Sequence, residues 1–254
     1  MPRLGTVPAA ICVALAVLFA SSFNGSALAA STKAKAKPKS AAKSKPVAKP
    51  AGQDDLVPLQ IKLPRPVFAG TPSDIPPGTT VEKPTGKPRP APLVPKGTTN
   101  VALGKPVTCS GKGPLFGSLK QVTDGDKEAY DGSCCELKPG VQWVQIDLQA
   151  PYKIYCIVVW HFHMVPVVYH DVVVQVSDDP DFLTGVRTLF NNDQDNSAGL
   201  GIGKDREYFE TSEGKLIEAK GVTARYVRLY SKGSTYSDQM NRYTEVEVYG
   251  LPAK

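Results

Sequence analysis

From Asn100 to Gly250 the apolar side chains recur at every second position, in short runs broken by Gly, Pro, Asn and Asp. That period belongs to one face of a pleated strand, not to a helix stripe. In "VQWVQIDL" the residues Val144, Ile146 and Leu148 share a face. "DVVVQVS" aligns Val172, Val174 and Val176, "ARYVRLYS" aligns Val227 and Leu229, and "YTEVEVYG" aligns Val246 and Val248. "KIYCIVVWHF" is apolar on both faces, with Ile154, Cys156, Val158 and Trp160 on one and Tyr155, Ile157 and Val159 on the other. Such a strand is expected to be buried on both sides. No ten-residue window carries a helical stripe. A stretch of this length makes one domain, and its pattern predicts an all-β, antiparallel sandwich or barrel.

The residues before Asn100 have a different composition. "AAICVALAVLFA" is too short to span a bilayer comfortably, and "SALAA" places Ala27 and Ala29 at small-residue cleavage positions. Residues 1–29 therefore read as a secretory signal peptide, against the alternative of an uncleaved anchor. On the first reading the mature chain is secreted, periplasmic or at the cell surface, with no transmembrane span. Cys109, Cys134, Cys135 and Cys156 then face oxidising conditions, where disulfides are expected. Four cysteines allow three pairings, which sequence does not choose among. Cys156 also fits as a small buried residue, and the spacing lacks the C-x-x-C of a zinc site.

The formal charge of +6 divides unevenly: residues 1–99 hold 14 Lys/Arg against 4 Asp/Glu, and the remainder 16 against 20. Lysines crowd residues 31–50, and prolines continue to Lys96. Residues 30–99 are expected to be a disordered Lys/Pro-rich linker, extended in polyproline II at about 3.1 Å per residue. The lysine run fits contact with an anionic envelope polymer, or simple solvation of a tether. It lacks the interleaved aromatics of a nucleic-acid binder, so no specific nucleic acid is expected.

The ordered motifs of residues 100–250 resemble discoidin domains, also called coagulation factor 5/8 type C domains. "NVALGKPVTCS" is similar to that family's opening, "VTDGD" to its D-G-D/N loop, and "QWVQIDLQAPYKIYCIVVW" to its W-x-x-I-D-L strand pair. "VVVQVSDDPDF", "ARYVRLYS" and "YTEVEVYG" match the remaining blocks in order. The resemblance implies a jelly-roll antiparallel β-sandwich, the galactose-binding-like fold, whose relatives include bacterial carbohydrate-binding modules.

The acidic loop "QVTDGDKEAYDGS" admits two readings, solvated loop charge or convergence on a hard cation. Gly125 allows a turn tight enough to aim Asp124 and Asp126 at one point. The resemblance implies a structural calcium held by Asp124, Asp126 and Glu245, with Val122, Asp131 and Thr244 adding oxygens. A second acidic stretch, "NNDQDNSAGLGIGKD", departs from an EF-hand, since its glycine comes one position late and Lys204 replaces the closing glutamate. It reads as a surface loop.

His161, His163 and His170 fall within "WHFHMVPVVYHD". H-x-H can chelate zinc or copper, although Pro166 interrupts the segment and the three also fit a binding rim. In the resembling sugar-binding modules, loops at one end of the sandwich carry an aromatic platform and polar partners. His163, Tyr169, Tyr130, Tyr236 and Asn241 are the candidate ligand residues here. "KGPLFGSLK", with Leu115 and Phe116, faintly resembles the apolar loops of membrane-binding relatives. No nucleophile elbow, phosphate loop or paired-carboxylate pattern occurs. The expectation is a non-enzymatic binding module for carbohydrate. The alternatives are a surface adhesion protein and a small histidine metalloenzyme.

Overall fold

A computed structural model describes residues 56–70, 72 and 74–253. The leader expected over 1–29 and the lysine run of 31–50 lie outside the described residues. The strands are β1 (Leu56–Pro58), β2 (Leu93–Pro95), β3 (Thr99–Asn100), β4 (Val107–Cys109), β5 (Cys135–Leu137), β6 (Gln142–His161), β7 (Val173–Ser177), β8 (Arg187–Asn191), β9 (Lys215–Ser231) and β10 (Asn241–Pro252). Among the described residues there is no α-helix, only a 3-10 turn at Leu119–Val122 closed by a Ser118–Gln121 capping box. Every strand pairing is antiparallel.

The long strands β6 and β9 belong to two layers at once. The Gln142–Asp147 half of β6 pairs with Tyr226–Ser231 of β9 and with β4, and β7 and β8 extend that layer. The Tyr152–His161 half pairs with β10 and with the first part of β9, while β3 and β5 flank β10. The bend falls where the β6–β9 register slips between Asp147 and Tyr152, and Gln149 there takes a positive φ of 67°. Between the layers lie Val144, Ile146, Val174, Val176, Val227 and Leu229 from one side and Ile157, Val159, Ile217, Val246 and Val248 from the other. This is the expected all-β, antiparallel sandwich.

One expected face assignment changes. A bulge between Ile154 and Cys156 breaks the alternation of β6. Ile154 therefore joins Ile157 and Val159 in the inner core, while Cys156, Val158 and Trp160 face outward. A one-residue slip turns every later side chain to the opposite face.

That outward face is buried by a segment expected to be linker. The linker predicted for residues 30–99 is corrected from Leu56 onward, because Leu59, Ile61 and Val94 cover Cys156, Val158, Trp160 and Tyr249. β1 pairs with β2 within this strap. Val81 packs on Val168 and Phe209, and the Glu82 N–H donates to the Glu207 carbonyl at 2.8 Å. The Arg89 guanidinium donates to the carbonyls of Gly214 (2.6 Å) and Glu213 (2.9 Å). Proline content did exclude helix, but a few apolar residues in extended chain were enough to dock on a bare sheet face. Each fully buried aliphatic side chain contributes about 1.5–3 kcal/mol.

The four cysteines of the described residues are free thiols. Adjacent Cys134 and Cys135 face different surroundings, with Cys135 in the inner core. Burial pushes the Cys135 and Cys156 thiols up to about 12.

Val94 is 2% exposed at the centre of the strap contact. Val94→Asp is expected to release the strap. Limited proteolysis would then cut within residues 60–95 of an otherwise folded domain, and thermal unfolding would lose about 2–3 kcal/mol.

Candidate functional site

The acidic loop is fastened to β10 by two buried glutamates. The Gly125 N–H donates to Glu245 Oε2 at 3.1 Å, and the Lys127 ammonium pairs with Glu247 Oε1. Lys127 also lies 4.8 Å from the centroid of the Trp160 ring, and the Tyr249 hydroxyl donates to Glu247 Oε2 at 2.7 Å. Gly125 has φ 88°, a conformation that a side chain rarely tolerates.

Glu245 is fully buried, and its Oε1 has no hydrogen-bond partner; neither does Thr244 Oγ1 beside it. Burial raises the Glu245 carboxyl to about 9, and the charges of Glu247 and Asp124 push the same way. Glu245 Oε1 is thus an unpaired buried carboxylate oxygen whose environment includes the charge of Asp124. Asp126 is turned elsewhere. Its Oδ1 accepts from the Glu128 N–H at 3.0 Å and its Oδ2 from the Tyr130 hydroxyl at 2.9 Å. The expected trio does not form a cluster. Among the described residues, the acids whose ligand oxygens all lie within 4.8 Å are Asp171, Asp193 and Asp195, from the second acidic stretch and the chain before it.

The histidines do not converge. His161 Nδ1 lies 2.6 Å from Glu210 Oε1, and its ring stacks on Tyr169 at 4.3 Å. His163 Nε2–H donates to the Lys127 carbonyl at 3.0 Å, and His170 Nδ1 lies 2.7 Å from Glu207 Oε1. Each ring has a different partner on one nitrogen, His161 Nε2 and His163 Nδ1 are left unpaired, and the three histidines form no ligand cluster among the described residues.

Three expected ligand residues are also interior. His163 and Tyr169 are each 1% exposed. Asn241 is a structural corner whose Oδ1 accepts from Ser231 and Gly233 while its Nδ2 donates to the Lys138 and Gly140 carbonyls. All three are enclosed by the fold and present no surface to a ligand. Tyr130 and Tyr236 stay on the surface.

Tyr236 lines a pocket of about 380 Å³ together with Phe116, Asp131, Glu136, Asp238 and Arg242. Phe116 is 71% exposed, unusual for so large an apolar ring. Its loop is held on β5 by paired bonds, Leu115 N–H to the Glu136 carbonyl (2.7 Å) and Glu136 N–H to the Phe116 carbonyl (3.0 Å). Gly117 makes this possible. Its φ is 72°, and a Cβ there would lie 2.3 Å from the Cys134 carbonyl oxygen.

Arg242 forms the pocket floor, 9% exposed. Its Nε donates to Glu136 Oε2 at 2.5 Å, its Nη1 to Asp238 Oδ1 at 2.9 Å, and its Nη2 to Asp238 Oδ2. It also lies 5.4 Å from the Tyr236 ring centroid. Phe116 was noted in the sequence as an apolar loop residue; Glu136 and Arg242 were not among the sequence candidates. Glu136 and Arg242 meet through β5–β10 register, which leaves no local signal. Phe116, between two glycines in "KGPLFGSLK", did leave one. A second cavity, about 470 Å³, is walled by Thr80, His170, Asp171, Asn192, Glu207 and Lys232 and is lined by no Phe, Tyr or Trp.

No family model matches the chain, and no curated protein matches it. Solved structures do resemble it. A fucose-binding module of Streptococcus pneumoniae is 18% identical, with a TM-score of 0.42 over 60% of this chain and 98% of that one. A chitosan-binding module from a chitosanase/glucanase of Paenibacillus sp. is 20% identical, with a TM-score of 0.41 over 60% of this chain and 99% of its own. A fucolectin from striped bass (Morone saxatilis) serum is 19% identical, with a TM-score of 0.43 over 62% of this chain and 50% of its own.

Ionising Glu245 in its buried site costs stability unless a cation offsets it. Its folded value, about 9, lies above its ordinary 4.5. In chelator, stability is therefore expected to fall as pH rises from about 5 to 9, by up to about 1.4 kcal/mol per pH unit. Calcium, or Glu245→Gln, should flatten that slope in thermal melts across the same range.

Proposed function

We propose that the protein is a non-enzymatic carbohydrate-binding module whose sugar site is the pocket between Phe116 and Tyr236. The observation that carries this reading is the pairing of two exposed aromatic rings with a buried, oriented guanidinium in one ligand-sized pocket. A pyranose has apolar C–H faces and a rim of hydroxyls. It asks for a ring to lie against and fixed polar groups to read its edge. Phe116 and Tyr236 supply the rings. Arg242, Glu136 and Asp238 supply donors and acceptors already held by one another, so little ordering is needed on binding. The motif order across residues 100–250 supports the same reading.

Calcium is proposed as structural, held by Asp124 and Glu245 with Thr244 and loop carbonyls. Asp126 would join only by leaving Tyr130. A bound ion would neutralise Glu245 and stiffen the loop that carries Asp131 to the pocket. The leader-like N-terminus supports an exported module.

A glycan array followed by calorimetry tests the proposal. Phe116→Ala is expected to weaken binding at least about tenfold, equivalent to about 1.4 kcal/mol, with the melting temperature unchanged because the ring is exposed. An array with no bound glycan in calcium, or a Phe116→Ala variant that binds like the parent, would sink it.

A further inference from the structure

We propose that the pocket selects by charge, taking amino sugars in preference to neutral ones and rejecting uronic acids. This rests on the reading of the pocket as a sugar site. Three carboxylates, Asp131, Glu136 and Asp238, and one guanidinium, Arg242, line the cavity. Arginine is the usual clamp for a ligand carboxylate. Here it is already clamped. Nε, Nη1 and Nη2 each donate to Glu136 or Asp238, and three of its five N–H groups are thereby used.

A uronate drawn to Arg242 would have to sit against both acids that hold it. Its charge would meet two carboxylates for one guanidinium, and like charges at such range repel. The two N–H groups left on Arg242 suit hydroxyl oxygens. Asp131 differs from the other two acids. It is exposed on the rim and makes no ion pair or side-chain hydrogen bond among the described residues. An ammonium beside the stacked ring would find there an uncompensated negative charge.

The test is an NMR titration of the full chain with methyl glycosides in gluco, galacto and manno configuration. Each is used as the neutral hexose, the 2-amino-2-deoxy sugar and the uronate. The expected order is amino sugar tightest, by about five- to tenfold over the neutral form, with the uronate weakest. Asp131→Asn should remove the amino sugar's advantage, read as the ratio of amino-sugar to neutral-sugar affinity in the same variant. Raising the salt from 0.05 to 0.5 M should shrink the same advantage, because the charges are near solvent. Uronates that bind as tightly as neutral sugars, or an amino-to-neutral ratio untouched by Asp131→Asn, would overturn charge selection. If Phe116→Ala still abolished binding in that case, the sugar site would stand without it. No binding by any of the nine glycosides removes the sugar site and this inference together.

Discussion

The attachment of the acidic loop to the last strand organises this domain. Glu245 receives the Gly125 N–H and Glu247 receives the Lys127 ammonium, so two alternate residues of β10 hold both sides of one turn. The contact spans 120 residues of sequence and joins the beginning of the sandwich to its end. Its charges are buried, and a buried charge is tolerated only when paired or hydrogen-bonded. The Lys127–Glu247 pair meets that condition with the help of Tyr249 and Trp160. Glu245 meets it halfway, with one oxygen bonded and one bare. Asp131 at the far end of the same loop lines the pocket, so fold and pocket share a support.

The strap solves a second problem of the same architecture. A sandwich needs only one apolar face per layer, yet β6 is apolar on both. The inner face meets the other layer, and the outer meets Leu59, Ile61 and Val94. Arg89 then ties the strap to the loop ahead of β9 through two carbonyls. Without this cover Val158 and Trp160 would present an exposed apolar patch next to buried acids.

The strands were legible because period-two alternation is a local property of the chain. Val144, Ile146, Val174, Val227 and Val246 all fall where that alternation puts them. Two features escaped it. The bulge at Ile154–Cys156 changes the count by one without changing composition. The strap's few apolar residues are diluted by proline, so its composition reads as linker although its contacts do not. Less of the candidate site could be read. Asn241 and His163 carry the chemistry of ligand contacts, but the fold turns them inward to satisfy backbone groups. Arg242 sits in a strand and reads as an ordinary alternating polar residue. Only the β5–β10 register makes it the floor of a pocket, and register is a long-range property.

Arg242 has a consequence for how such a domain can diversify. The guanidinium that faces the pocket also cross-links β5, through Glu136, to the turn before β10, through Asp238. A substitution there would alter the pocket wall and the scaffold at one stroke. Phe116, Asp131 and Tyr236 stand at the opening with no such duty. The rim can therefore change its side chains while the cross-link beneath it stays as it is.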